Sequence, residues 1–248
     1  MTGKKIAVFI VNFNMPERAD SLYGHITKYA KWPHEIFMID NGSDLVAPSQ
    51  HTNVGIETNL QTTGGWNAGL DAAGRNGNWL AYWFLITSAE FKSDRDPLTP
   101  MVVALLKCPE LVGIHPALTQ DSTTAWNHLK ARGGDGVRRT WMIDNIASLW
   151  RADWFEANGG FDPDLKYGWG IDLELSYKAR QQDRWLWIHE GVRVEKVTNI
   201  GYTMNRMGMS ADERVRLAGA NMAEVLSTKY GSNWDRKMRS DYVESWMR

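Results

Sequence analysis

The feature that most constrains this chain is its opening order of strand, helix and strand with no hairpin turn between them. "KIAVFIVNFN", Lys5 to Asn14, is a continuous apolar run, the pattern of a strand buried on both faces. Pro16 follows at a position suited to a first helical turn, with Asn14 as a candidate cap. Ala19, Leu22, Tyr23, Ile26 and Ala30 then recur at helical spacing. "HEIFMID", His34 to Asp40, is a second strand, closed by the turn signal "NGSD". Two strands joined in this way form a right-handed parallel unit.

The alternation continues through the first half. "NLQTTGGWNAGLDAAGRNG" is a Gly-rich loop opening a short helix, and "WLAYWFLI" is a third long strand. "DPLTPMVVALLKC" reads as a helix and "LVGIHPAL" as a strand. The order predicts an α/β fold, a mostly parallel sheet flanked by helices. Thr119 to Thr140, polar and Gly-rich, reads as a mobile loop or insertion. "RADWFEANGGFDPDLKYGWGIDLELSYKARQQ" reads as helix, turn-rich loop and amphipathic helix. "RWLWIHE" and "VRVEKV" read as two short strands. Residues 1–205 are expected to form one domain, and 206–248 a helical extension packed on it through the helix from Ser210 to Tyr230.

Composition narrows the function classes. A chain of 248 residues can be stabilised by burial alone. Its net charge of -1 gives no bulk sign of a nucleic-acid or membrane-surface partner. Cys108 is the only cysteine, which excludes an intrachain disulfide and a cysteine metal cage. A reducing, cytoplasmic setting is the simplest reading. The apolar run after Lys4 and Lys5 is too short for a signal peptide, and no segment approaches the ~20 apolar residues of a membrane span. The 13 Trp are mostly core, but an aromatic ring beside a polar loop is also a platform for the C–H face of a sugar.

Several chemistries are missing their signatures. No glycine follows the first strand in "VNFNMPER", so the dinucleotide fingerprint is absent. There is no P-loop, no His/Cys metal cluster and no G-x-S-x-G elbow. What remains are polar residues at strand ends, where α/β sheets bind ligands: Asn12, Asp40, and the cluster Thr87 to Glu90. Asp40 is equally a turn former ahead of "NGS".

The ordered set "VFIVNFN", "FMIDNGSD", "NLQTTGGWNAGLDAA", the strand ending at Glu90 and "GGFDPDLKYGWGIDLELSYKARQQ" resembles the inverting glycosyltransferases of family 2 with the GT-A (Rossmann-like) fold. The "N…GG.N.G" pattern from Asn59 to Gly69 is similar to their rhamnosyl- and galactofuranosyl-transferring branches. The resemblance implies a UDP- or dTDP-sugar donor. It implies that Asn12 lines the base pocket, that Asp40 bonds the uracil or thymine ring, and that Gly64, Gly65 and Asn67 let the backbone lie close to the nucleotide sugar. Asp172 in "YGWGIDLEL" takes the place of the catalytic base, which an inverting transfer requires, and Glu174 that of a second acid. A helix N-terminal aspartate favoured by the dipole is the plain alternative. Trp169, and with it Trp141, is an expected acceptor platform.

One departure stands out. Where such a strand ends in a D-x-D run that holds a divalent ion, this chain has Thr87, Ser88, Ala89 and Glu90. Glu90 supplies at most one carboxylate ligand for Mn2+ or Mg2+, with Ser88 a weak second. Where a histidine commonly completes the metal site, the sequence reads "VRVEK", with Lys196 in its place. The expectation is therefore either a residual metal site at Glu90 or metal-independent catalysis, with Lys196 neutralising the diphosphate. Arg193, Arg206 and the arginines of "GVRRT" are candidates for a second cation.

Two other readings compete. One is a nucleotide-sugar- or glycan-binding domain without turnover, which the missing D-x-D favours. The other is a sugar-phosphate nucleotidyltransferase, which "NFNMPER" argues against. The acceptor is a saccharide or, less favoured, a hydroxylated base in nucleic acid, suggested by Lys130, Arg132, Arg138 and Arg139.

Overall fold

The computed structural model describes residues 4–75, 78–197 and 208–239. Its first strands follow the expected register. β1 (Lys5–Asn12) pairs in parallel with β2 (His34–Asn41) on one side and β4 (Trp79–Ile86) on the other, and β3 (Val54–Ile56) extends β2 in parallel. α1 (Pro16–Tyr29) and α2 (Gln61–Ala73) make the connections. Pro sits in the first turn of α1, where its missing N–H costs nothing.

Past β4 the sheet becomes mixed. The order is β3-β2-β1-β4-β8-β6-β9-β5, with β7 (Val137–Thr140) also on β9. β8 (Leu149–Arg151) runs antiparallel to both β4 and β6 (Leu111–Leu118), so β6 points the same way as β4. β9 (Trp185–Lys196) is parallel to β6, and the short strands β5 (Ala89–Glu90) and β7 oppose it. All the long strands thus share one direction, and the α/β, GT-A-like arrangement read from the sequence is the one observed.

Alternation along the strands divides the core between the two faces. Ile6, Val8 and Ile10 pack toward α1 and α3 (Thr99–Lys107). Ala7 and Phe9 face the opposite layer, with α2, α4 (Ala152–Ala157), α5 (Ile171–Gln181), α6 (Ala211–Tyr230) and α7 (Trp234–Arg239). There Phe9, Phe84, Phe155, Phe161 and Trp66 form a continuous aromatic stack, with Phe84 and Phe161 centroids 4.5 Å apart. Such pairs add about 0.5–1.5 kcal/mol each beyond their area.

Two expectations are corrected. "RWLWIHE" and "VRVEKV" form one strand, β9, rather than two. The register slips against β6 between Pro116 and Ala117, so the residues between His189 and Arg193 are absorbed as an irregularity, not a turn. The segment from 119 to 140 is not a plain loop. It carries a 3-10 turn at Asn127–Leu129 and strand β7. A nearly buried pair fastens it to β9: Arg138 Nε donates to Glu190 Oε1 at 2.5 Å, and Arg132 N donates to Glu190 Oε2. Charges are not expected to carry such a role in a Gly-rich stretch, and the partner Glu190 lies more than 50 residues away.

Candidate functional site

A cleft of about 270 Å³ opens at the carboxyl ends of the parallel strands. This is where α/β sheets place ligands, because loops diverge there and leave a crevice. β1 supplies Val11, with Phe13 and Met15 just beyond it; β4 supplies Ile86, followed by Thr87 and Ser88; β9 supplies Lys196. Asn41, Asn59 and Gln61 form one wall, Tyr167 to Trp169 another, and Asp144 to Ile146 a third. Arg214 reaches in from α6.

One wall of the cleft is built on asparagines. Asn41 is buried; its Nδ2 donates to Asn59 Oδ1 at 3.1 Å and to Gln61 O at 2.9 Å, and its Oδ1 accepts from Leu60 N. Asn12 and Asp40 lie just behind. Asn12 Nδ2 donates to Asp40 Oδ1, and the same carboxylate accepts from Ser43 N and Ser43 Oγ. The pair ties the ends of β1 and β2 together and is outside the cleft lining. The structure thus brings Asn41 and Asn59, not Asn12 and Asp40, to the cleft surface.

The glycines of α2 serve packing. A Cβ at Gly65 would stand 3.0 Å from Val11 Cγ1 and 3.2 Å from Asn41 Nδ2, so its absence seats the helix on the sheet. Gly64 is crowded by Leu60 of its own helix entry. Asn67 Nδ2 donates to Phe161 O, and its Oδ1 accepts from Arg75, which ties α2 to the loop before α5. Gly64, Gly65 and Asn67 therefore hold the wall in place without lining it.

That loop, "FDPDLKYGWG", brings Trp169 to the cleft, where it is 36% exposed. Gly168 has φ +81, and a Cβ there would be 2.9 Å from Thr62, so both backbone and space demand glycine. Thr63 Oγ1 donates to Leu165 O at 2.5 Å and fixes the loop on α2. Trp141 lies outside the cleft, against Trp126 and His128, with the Arg180 guanidinium 5.5 Å from its ring.

At the end of β4, Thr87 and Ser88 are buried and line the cleft, but Glu90 does not. Glu90 sits on β5 and turns to Lys92, whose Nζ donates to it at 2.6 Å. Lys196 pairs with Ala89 across β5 and β9, so it enters the cleft at the place expected for a metal ligand. Among the described residues, no group of three His, Cys, Asp or Glu could hold a metal ion. At the end of β4 the cleft offers the hydroxyls of Thr87 and Ser88, with Lys196 beside them, and Asp144 is the only carboxylate in its lining. This set does not fit a divalent cation, which wants several oxygen ligands and no ammonium beside them.

Two charged cleft residues have no signature in the sequence. The first is Arg214, from a helix to which no chemistry was assigned. It donates to Gln61 Oε1 and, through Nη2, to Tyr167 O at 3.3 Å, and its guanidinium lies 4.9 Å from the Tyr167 ring. The expected second cations are elsewhere: Arg193 donates to Glu190 O, Arg138 to Glu190, and Arg139 covers Trp185. Arg206 falls outside the described residues. The second is Asp144, for which "MIDN" gives no motif. Half-buried, it opens onto the cleft near Lys196. Burial pushes its carboxyl up from the ordinary value, opposed by the Lys196 charge and the backbone N–H groups of Asn145 and Ile146.

Asp172 stands at the first turn of α5, outside the cleft lining. Its Oδ1 accepts from Leu173 N at 2.9 Å. Burial, and then the Asp144 charge, push its carboxyl up to about 8, against the pull of the α5 backbone and Arg239. Glu174 faces away. Its Oε1 accepts from Tyr230 OH at 2.7 Å and lies within 3.6 Å of Lys178 and Lys229, so it clasps α6 rather than serving the cleft.

Solved structures share this fold. The chain is similar to GalNAc-T7, crystallised with UDP, GalNAc and Mn2+, with a TM-score of 0.62 and 16% identity over 77% of this chain and 43% of that one. It is similar to the mannosyltransferase PcManGT from Pyrobaculum calidifontis in complex with GDP-Man and Mn2+, with a TM-score of 0.60 and 14% identity over 94% of this chain and 73% of that one. It is similar to S. aureus TarS, with a TM-score of 0.60 and 12% identity over 94% of this chain and 42% of that one. The chain spans less than half the length of the first and third. No family model and no curated protein sequence matches it. At these identities the likeness is one of fold, and that fold is the GT-A architecture.

Proposed function

We propose that the chain is a glycosyltransferase that moves a sugar from a UDP- or dTDP-sugar to an acceptor hydroxyl with inversion, in the manner of the rhamnosyl- and galactofuranosyl-transferring branches of family 2. The observation that carries this reading is Lys196, an ammonium in the cleft beside Thr87 and Ser88, where the fold's metal site would stand. The neighbours named for nucleotide-sugar complexes support a donor of that class.

Departure of a nucleoside diphosphate concentrates negative charge on the leaving oxygen, and fixed cations aimed at it lower the barrier. Lys196 and Arg214 are those cations here. Asn41 and Asn59 offer amides to the base edge, and the Ser88 hydroxyl stands near the diphosphate. Trp169 is the platform for a saccharide acceptor. Trp141, outside the cleft, meets only an extended acceptor, and a hydroxylated nucleic-acid base is the less favoured case. Inversion puts the acceptor on the face opposite the leaving group, with its proton passing to the carboxylates at the start of α5, where Asp172 is the expected base. The division into residues 1–205 and an extension from 206 belongs to the same reading, although Arg214 makes the extension part of the site. So does a cytoplasmic location; among the described residues no helix is long and apolar enough to cross a membrane.

The test is nucleotide release from a panel of UDP-, dTDP- and GDP-sugars, with Mn2+ and separately with EDTA, for the native chain and Lys196→Ala. Release that survives EDTA and collapses in the variant supports the reading. A requirement for Mn2+ sinks the role given to Lys196. Nucleotide binding without release from any donor favours the silent binding domain.

A further inference from the structure

The strongest unexplained grouping in the molecule is the cleft wall at Asp144. The segment carrying it is fastened to α5: Ile143 N donates to Ser176 Oγ at 3.3 Å, and Arg180 of α5 donates to Trp141 O. Ser176 is one turn beyond Asp172, so these bonds set Asp144 over the start of the helix. Asp144 lines the cleft and Asp172 does not, but the Asp172 carboxyl feels the Asp144 charge. Asn145 also lines the cleft and is 5% exposed, yet its Nδ2 has no hydrogen-bond partner among the described residues. Its Oδ1 is taken by Ser148 Oγ at 2.6 Å, which fixes the amide with its donor unused. A buried donor without a partner is costly, so it marks where a ligand oxygen sits.

We infer that Asp144 and Asp172 act as one carboxyl pair holding a single proton, with Asp144 the member that takes the acceptor's proton and Asn145 Nδ2 the donor that orients the acceptor oxygen. This rests on the transferase reading. Two close carboxylates do not both ionise readily, because like charges in a shared, poorly hydrated site repel. The buried Asp172 keeps the shared proton, while Asp144, facing Lys196, stays charged. The groups that set this balance are Asp144, Asp172, Lys196 across the cleft and Arg239 from α7.

The step balances. The acceptor O–H bond breaks as its oxygen bonds the anomeric carbon. The bond from that carbon to the diphosphate oxygen breaks, and its electron pair leaves with the nucleoside diphosphate. The proton goes to Asp144, leaving two neutral carboxyls until the product departs. Donor binding prepares the step, because a diphosphate draws the Lys196 charge away from Asp144 and makes Asp144 a better base.

Three measurements test this. Nucleotide release from the best donor is followed from pH 5.5 to 9.5 for the native chain, Asp144→Asn and Asp172→Asn. Asp144→Asn should lose about 100-fold or more at every pH, the usual scale for a general base. Asp172→Asn should lose about tenfold and flatten the rise that the native chain shows as the pair gives up its proton. Equal losses, or a larger loss in Asp172→Asn, overturn the assignment while leaving the transferase reading intact. The second measurement needs no turnover: carboxyl NMR of aspartate-labelled protein. One carboxyl should titrate well above the ordinary carboxylate range, vanish in Asp172→Asn and move down in Asp144→Asn. Such a carboxyl in a chain that releases no nucleotide keeps the shared proton and sinks the transferase reading. A native spectrum with no carboxyl titrating above pH 6 overturns the pair. Asn145→Ala should raise the acceptor KM with little change in donor KM; the reverse overturns its role.

Discussion

Arg214 and Gln61, 153 residues apart, are hydrogen-bonded across the mouth of the cleft. Gln61 opens α2 with φ +62, a left-handed conformation that a non-glycine residue adopts at a cost. Its N also donates to Asn59 Oδ1 at 2.7 Å, so Arg214, Gln61, Asn59 and Asn41 form one chain of contacts from α6 to the asparagine wall. Arg214→Ala should release this chain and weaken UDP or dTDP binding by roughly 1.5–3 kcal/mol, the worth of a hydrogen bond to a charged group. Arg214→Lys should recover little, because an ammonium cannot reach Gln61 and the Tyr167 carbonyl together. Titration calorimetry with UDP checks both; native affinity in either variant contradicts the role given to Arg214.

Glu174 decides whether α6 stays in place to deliver that arginine. Its side chain is 1% exposed and receives Tyr230 OH, with Lys229 and Lys178 nearby; Lys229 also binds Asp162. Removing the charge from this buried carboxylate leaves the half-exposed Lys178 and Lys229 short of a partner and Tyr230 OH without its charged acceptor. Glu174→Gln should cost about 3 kcal/mol of stability. It should also speed amide exchange in α6 ahead of the sheet. Tyr230→Phe, which loses one hydrogen bond, should cost about 1–2 kcal/mol. Chemical denaturation with hydrogen exchange reads both effects. A fully stable Glu174→Gln with reduced turnover would instead make Glu174 a second catalytic acid.

These two residues also show what a sequence of this kind conveys. β1, β2, β4 and α1 were legible because apolar run length and 3.6-residue spacing are local signals, set by which face a residue must bury. The position of Lys196 came from the family resemblance, and its pairing with Ala89 brings it to the cleft. Arg214 was not legible, because nothing local in an amphipathic helix tells which of its arginines crosses the cleft. Asp40 and Asn67 misled for a related reason. A polar residue at a strand end or helix face can meet a ligand or bind a neighbouring backbone, and only the fold decides which. Asp144 carries no motif, and its place is set by Ser176 and Trp141 contacts to α5.

Acid should unfold the chain through two buried histidines before it reaches the carboxylates. His115, fully buried on β6, and His128, in the 3-10 turn, are each pushed down to about 4, chiefly because burial disfavours the charged ring, with Arg138 adding repulsion. His115 Nε2 has no partner among the described residues, so a proton there meets no acceptor. The folded state holds both rings neutral, and the unfolded chain protonates them near 6.5. Their contribution is therefore complete above pH 6.5 and is lost as pH falls toward and through 4. For His115 the loss is about 3 kcal/mol at the bottom of that window, at 1.36 kcal/mol per unit. His128, less enclosed, should give somewhat less. Tm should rise slightly from pH 8 to 6.5, as the buried Asp172 carboxyl takes up its proton, and fall between 6 and 4, and His128→Asn, which keeps a donor for the Met142 carbonyl, should make that fall shallower. A Tm that holds down to pH 4, or a slope that His128→Asn leaves unchanged, would mean that the core around β6 opens enough to hydrate the charged rings.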